Sequence, residues 1–369
     1  MKPAFDPARF KLVVCLGPGG VGKTTISAAL AVAGTSKGSA VDVMTVDPAP
    51  RLLDALGLGG DASEPRDVPL HGIRIAHPPH AKRARLRALK LDPKQTFDAI
   101  MTRYAPSAAA RDTMLGNRIY RNLSGALAGV GDYMAMEKLL ELASNTATDL
   151  IVLDTPPAAE ALDFLDAPRR LLELLNSRAV ALLGTPIVGL FRSRLGIVDL
   201  AARAVLSAFD RVTGLNLLGD VQAFVRGFEG MYEGFAERAK AADELLRADG
   251  TAIVVVTTPE SGRIEQAREF IESLERTGLH ARAVIVNRAM GPLPDAKELA
   301  AAKIPSALKR KLARNLADYA ALKEREARSL DALRSAMPSG ARLLLSPELD
   351  REPRSLGDLA KIGANLRTA

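Results

Sequence analysis

GPGGVGKTT, residues 17–25, stands between the uninterrupted apolar run KLVVCL (11–16) and the helix-forming stretch TTISAALAVA (24–33). Gly17 to Thr24 fit the pattern G-x-x-x-x-G-K-[ST] once in the chain, and a strand before with a helix after is the context that gives the pattern meaning. Glycines let successive backbone N–H groups turn inward around phosphate oxygens. The helix that starts near Lys23 adds the positive end of its dipole. Residues Gly19, Gly20, Val21, Gly22, Lys23, Thr24 and Thr25 are therefore the expected nucleotide contacts. Lys23 neutralises the β- and γ-phosphates, and the Thr24 hydroxyl holds Mg²⁺.

Working outward, AVDVMTV (40–46), DLIVLD (149–154), ALLGTP (181–186), TAIVVVTTP (251–259) and ARAVIVN (281–287) read as further buried strands separated by helical stretches. Buried strands alternating with helices predict an α/β fold with a doubly wound, mostly parallel sheet. Two segments break that rhythm, about 77–146 and 188–248, with helical periodicity and no convincing strand. They are read as insertions forming one helical subdomain on a P-loop NTPase core made of 8–76, 147–187 and 249–369. A long charged helix (about 305–335), the strand and loop LLLSPELD and an amphipathic helix SLGDLAKIGANL close the chain.

Two strands end in aspartates. Asp47 follows strand two in TVDPAPRLLDALGL, and Asp154 follows four apolar residues in IVLDTPP. Carboxylates at the C-terminal ends of parallel strands converge on the ligand crevice. Asp154 is the expected Walker B acid, binding Mg²⁺ through water, which leaves Asp47 to orient the attacking water.

Composition narrows the classes. The 369 residues carry a net charge of +7, no Trp and 4% aromatics, so surfaces for stacking bases are scarce. The densest basic run, AKRARLRALK (81–90), reads as a solvated helix face, or else as a contact for an acidic partner or membrane surface. The single cysteine, Cys15, lies inside an apolar strand and supplies neither a disulfide nor a thiolate cluster. HPPH (77–80), with prolines between its histidines, reads as an exposed linker rather than a metal site. No leader-like segment or membrane span is evident, which places the protein in the cytoplasm.

Taken together, GPGGVGKTT, DPAPRLLDALGL, LDTPPAAEALDFLDAPRRLLELL, LSGALAGVGDYMAMEKL (123–139), VVTTPESGRIEQAREFIESL (255–274) and VIVNR (284–288) resemble the ArsA-type ATPases. That family includes the arsenite-pump ATPase and the ATPase that delivers tail-anchored membrane proteins. The resemblance implies ATP and Mg²⁺ as cofactors, a helical insert and nucleotide-clamped dimers. It implies that Asp47 is the catalytic aspartate of switch I and that Asp54 is a second acid there. Asp154, Thr155 and Pro156 would open switch II, which relays nucleotide state to the helical part. Asn287 would contact adenine, and the loop Ser346–Pro347–Glu348 would close over the base.

The chain also departs from that family. Position 18 usually holds a lysine that reaches the partner's nucleotide, and Pro18 carries neither charge nor a donor. Three readings follow: another cation such as Arg51 substitutes; the chain pairs with a lysine-bearing paralogue; or it turns over slowly as a nucleotide-dependent clamp. One buried cysteine speaks against arsenite binding and against the zinc-holding CxxC pair of the tail-anchored-protein ATPases. No nucleic acid is expected as a partner. Apolar stretches 132–143, 186–209 and 219–235 either line a groove for an apolar-helix or membrane-protein client, or form the helical core. The leading functional expectation is an ATPase whose cycle changes a homodimer or heterodimer acting on a protein or membrane partner. The alternatives are a nucleotide-binding regulatory subunit with little turnover and a MinD- or ParA-like positioning ATPase.

Overall fold

The computed structural model describes residues 4–76, 84–105, 107–117, 130–156, 158–176 and 231–369. In chain order these form β1 (Leu12–Leu16), α1 (Lys23–Ser36), β2 (Ala40–Thr45), α2 (Arg51–Ala55), β3 (Arg66–Asp67), β4 (Arg85–Lys90), α3 (Pro93–Tyr104), α4 (Ala108–Gly116), α5 (Val130–Ser144), β5 (Leu150–Asp154) and α6 (Ala158–Asn176). Then come α7 (Tyr232–Arg247), β6 (Thr251–Thr257), α8 (Ser261–Arg276), β7 (Ala281–Ala289), α9 (Ala296–Ala301), α10 (Ser306–Ser335), β8 (Arg342–Pro347), α11 (Leu356–Ala364) and β9 (Arg367–Thr368).

The strands form one sheet in the order β3-β4-β2-β5-β1-β6-β7-β8-β9. All neighbours are parallel except the two-residue strands β3 and β9, which pair antiparallel at the edges. This is the α/β, mostly parallel architecture expected from the alternation of elements. β1, β2, β5 and β6 are buried at every position. Their largely apolar character follows, because both faces of such a sheet are covered by helices. α1 is nearly as buried as the strands, with Ile26 to Val32 all out of solvent. α11 crosses it closely at Gly363, where a side chain's first carbon would stand 2.9 Å from the Ala29 carbonyl oxygen.

One element corrects the sequence reading. The basic run at 81–90 is not a helix face: its described part contains β4, which lies parallel to β2 in register Ala40 to Arg85 through Thr45 to Lys90. Helical periodicity misled because every second residue of RLRALK is not plainly apolar. The polar residue Arg87 is admitted because the wholly buried Asp42 of β2 accepts its Nε at 2.7 Å and Nη2 at 2.6 Å. Thr148 donates to the same carboxylate at 2.7 Å. The expected strand at 181–186 and most of the apolar stretches 186–209 and 219–235 lie outside the described residues, as does HPPH.

The chain divides into two compact units, one of Met1–Lys90, Asn145–Leu162 and Ala248–Ala369, the other of Leu91–Ser144 and Asp163–Arg247. The first contains the sheet. In the second, Phe97, Ile100, Met101, Tyr133, Met134 and Phe235 form an apolar core. The stretch 132–143 contributes to that core through Tyr133 and Met134, and its Met136 and Leu139 are wholly buried. Within it, the carboxylate of the buried Glu137 accepts the Tyr133 hydroxyl and the Arg238 Nε at 2.9 Å. The Arg238 guanidinium also lies 4.0 Å above the centre of the Tyr104 ring.

Asp42 gives the first prediction. Asp42→Ala strands a half-covered guanidinium and should cost about 3 kcal/mol or more. The double replacement Asp42→Leu with Arg87→Leu should cost clearly less, because neither charge is left behind. Thermal unfolding of the two variants checks the order.

Candidate functional site

β1 and β5 are neighbours, in register Leu12 to Ile151 through Cys15 to Asp154, and β2 flanks β5 so that Thr45 stands beside Asp154. The loop that leaves β1 therefore opens directly above the carboxyl ends of β5 and β2. The glycines are required by contact as well as by conformation. A methyl at Gly17 would lie 2.0 Å from the Val256 carbonyl oxygen of β6. Gly22 has φ +88, and a methyl there would lie 2.3 Å from the Asn287 side-chain nitrogen.

Lys23 begins α1 and is buried. Its ammonium donates to the carbonyl oxygens of Gly17 and Pro18, each at 3.0 Å, so the loop is closed around its own lysine. Burial lowers the Lys23 pKa, against the pull of Asp154 and Asp47. Pro18 is itself buried at the root of the loop. Its side chain is packed into the protein, while its backbone carbonyl serves Lys23.

Asp154 is the convergence point. Its Oδ2 accepts the Thr24 hydroxyl at 2.9 Å and the Thr45 hydroxyl at 3.0 Å, and Oδ1 accepts the Ser27 hydroxyl at 3.3 Å. Burial pushes its carboxyl pKa up to about 6, opposed first by the hydrogen bonds from Thr24 and Thr45. Thr24, Thr45 and Asp154 thus present hard oxygen donors side by side beneath the loop, the donor set that Mg²⁺ prefers. These residues fit the ion.

The other expected residues fall at the rim. Asp47 is half-buried; its backbone N–H donates to Thr45 Oγ1 at 3.2 Å, and its Oδ1 accepts the Ala49 N–H at 2.9 Å. The Arg51 guanidinium lies 3.8 Å from Asp47 Oδ2 and is 74% exposed. Asp54 is on the exposed side of α2, and Thr25 is half-buried in the first turn of α1. Thr155 donates to the Cys15 carbonyl at 2.8 Å, tying the start of DTPP to β1, and Pro156 follows it half-buried. Gly19 and Val21 complete the loop, with Gly20 at its exposed tip at φ +79. Asn287 Nδ2 donates to the Val21 carbonyl at 2.9 Å, so this amide braces the loop from β7. Ser346 and Pro347 belong to β8 rather than to a loop, and Pro347 pairs with Ala289 after a register shift between Val286 and Ala289. Only Glu348 lies beyond the strand, donating its N–H to the Ala289 carbonyl at 2.9 Å.

Three participants were missed from sequence. Ser27 sits one turn beyond Thr24 on α1, a spacing that puts both on one face. Thr45 precedes Asp47 by two, which in a strand is the same side. Arg263 is on the first turn of α8, its backbone carbonyl accepting the Thr257 hydroxyl at 3.0 Å. One of its guanidinium nitrogens stands 4.0 Å from where a side chain on Gly20 would begin, and the other donates to Gln266 at 2.9 Å. No spacing rule relates Arg263 to the loop; only the adjacency of β1 and β6 does.

A strand-borne phosphate loop with a buried acid on the neighbouring strand is the site of a P-loop nucleotide-binding protein. The profile of the anion-transporting ATPases matches residues 10–311, and the chain belongs to that family of ATPases, the ArsA family. It is 26% identical over 284 residues to the Streptomyces coelicolor protein named "Uncharacterized protein SCO2128", a match covering 76% of this chain and 63% of that one. It is 25% identical over 295 residues to the ATPase GET3 of Malassezia globosa, covering 79% and 76%. A similar match, 25% over 286 residues, is to the ATPase get3 of Schizosaccharomyces pombe, covering 77% and 75%. Among the described residues no helix is long and apolar enough to cross a membrane.

The glycine contacts give the second prediction. Gly17→Ala should lower the melting temperature and abolish ATP retention, because the obstacle is the β6 backbone. Gly57→Ala, at φ +75 with nothing within 4 Å, meets only local strain and should keep ATP retention. Differential scanning fluorimetry with and without MgATP separates the two.

Proposed function

We propose that this protein binds ATP with Mg²⁺ in the loop Gly17–Thr25 and hydrolyses it, and that the cycle changes a dimer acting on a protein or membrane partner. The observation that carries the reading is the hydrogen bond from Thr24 to the buried Asp154 beneath a loop closed by Lys23. In the proposed cycle the Lys23 ammonium exchanges the carbonyls of Gly17 and Pro18 for phosphate oxygens. Thr24 directly and Asp154 through water would hold Mg²⁺ in place of their mutual hydrogen bond. Mg²⁺, when bound, supplies charge neutralisation between the β- and γ-phosphates. Asp47, with one oxygen held by the Ala49 N–H, orients water for in-line attack on the γ-phosphorus. Asn287 contributes the adenine contact from the position in which it also braces Val21, and Pro347 of β8, which pairs with Ala289 two residues further along β7, belongs to the same base-binding region. The stretch from Asp154 to Pro156 passes nucleotide state to the helical unit, and Asp54 belongs to the same switch region as Asp47.

Pro18 leaves the loop without the second cation. Two guanidinium groups of the same chain border the site, Arg51 beside Asp47 and Arg263 beside Gly20. Their placement favours the reading in which the cation comes from within the chain over one that needs a lysine-bearing paralogue. A regulatory subunit with little turnover remains the second reading, motivated by the burial of Pro18.

Steady-state ATP hydrolysis by the purified chain tests this. Turnover should exceed that of Lys23→Ala, and removing the cation in use by Arg51→Ala or Arg263→Ala should lower it at least tenfold, since a finger-type cation contributes roughly 10³ to 10⁵. Wild-type turnover at the Lys23→Ala level with ATP still bound would instead establish the regulatory reading.

A further inference from the structure

Among the described residues six large apolar side chains are exposed, and four of them stand on α10: Leu308, Leu312, Tyr319 and Leu322, between 37% and 53% exposed. Their spacing is four, seven and three, and Asn315 fills the gap, which gives alternate steps of four and three. That is the seam of a heptad pattern with one polar layer. The helix does not bury this face on its own domain. Its cover comes late: Glu326, Leu330 and Leu333 are buried, and Lys323 donates to the Met290 carbonyl while Glu326 accepts the Met290 N–H at 2.9 Å. The C-terminal half is thus fastened to the end of β7, and residues 306–322, about 25 Å of helix, carry the stripe outward.

We propose that this stripe pairs antiparallel with the same helix of a second copy of the chain. The proposal deepens the dimer reading above, taking two copies of this chain as its members, and rests on it. The cation cluster selects the direction, and one complementary charge pair favours a second copy as the occupant. The first turns carry Lys309, Arg310, Lys311 and Arg314. Parallel pairing would set two such clusters side by side, whereas antiparallel pairing moves them to opposite ends. In the register that places Leu308 opposite Tyr319 of the second copy, Leu312 meets Asn315. Lys311 then meets Asp318, and two-fold symmetry repeats each contact. Lys311 and Asp318 are exposed and form no ion pair among the described residues. The seam covers little more than two heptads, so it makes a concentration-dependent contact that supplements a nucleotide-held dimer. α10 also lies almost wholly beyond the residues that match the family profile, which end at 311.

Cysteine cross-linking reads the register directly, because the single native thiol, Cys15, is buried. A mixture of Leu308→Cys and Tyr319→Cys chains should give a disulfide-linked dimer on mild oxidation, at least tenfold more than either variant alone. Sedimentation equilibrium with MgATP should show Leu312→Lys weakening self-association at least tenfold while ATP binding persists. Lys311→Asp should weaken it too, and Asp318→Lys in the same chain should restore it. A wild-type dimer indifferent to all these changes, or cross-linking of Leu308→Cys chains to one another, would overturn the proposed surface and leave the homodimer reading standing. A wild-type monomer at every concentration, with and without MgATP, would overturn both.

Discussion

A single buried carboxylate organises the site. Asp154 closes β5 and accepts three hydroxyls from two elements at once: Thr24 and Ser27 on α1, and Thr45 on β2. A buried charge without such partners would be expensive. Those hydroxyls stabilise the ionised form against the burial that raises its pKa. They also fix the rotation of α1 about its axis, because Thr24 and Ser27 must face the strand end together. Lys23 is then aimed back into the loop, and Asp47 is held two residues beyond Thr45. The constellation is pre-assembled by the order β2-β5-β1-β6, which brings four strand ends to one edge.

The second constraint is space. The loop is wedged between β6 and β7: the backbone of Val256 leaves no room for a side chain at Gly17, and the amide of Asn287 leaves none at Gly22. Such a loop is held by its surroundings as much as by its own glycines. Pro18 fits this picture. It is buried where the loop leaves the strand, with fixed φ and no N–H to satisfy. The same wedge places the β6–α8 junction, and with it Arg263, beside the exposed tip at Gly20.

The sheet was legible because its strands are buried on both faces and so appear as continuous apolar runs. The loop was legible because its glycines, lysine and threonine have fixed spacing. β4 was not, since RLRALK carries three cations and depends for burial on Asp42, a partner 45 residues earlier in the chain. Ser27, Thr45 and Arg263 were hidden for a related reason: their roles come from the crossing of elements distant in sequence, not from any local pattern. Asn287 was expected at the base and is found bracing Val21, a contact that joins residues 266 apart. The long helix near 305–335 was foreseen almost to the residue; which of its faces stays uncovered depends on how Lys323 and Glu326 seize Met290.

The central claim is that Thr24 and Asp154 form a Mg²⁺-dependent ATP site with Lys23. Isothermal titration of the purified protein with ATP, with and without Mg²⁺, measures it most directly, with Thr24→Ala as the comparison. The account predicts that Mg²⁺ tightens binding of ATP by the wild type at least tenfold and has little effect on Thr24→Ala. Equal affinity for ATP with and without Mg²⁺ in the wild type, or no binding at all, would contradict it.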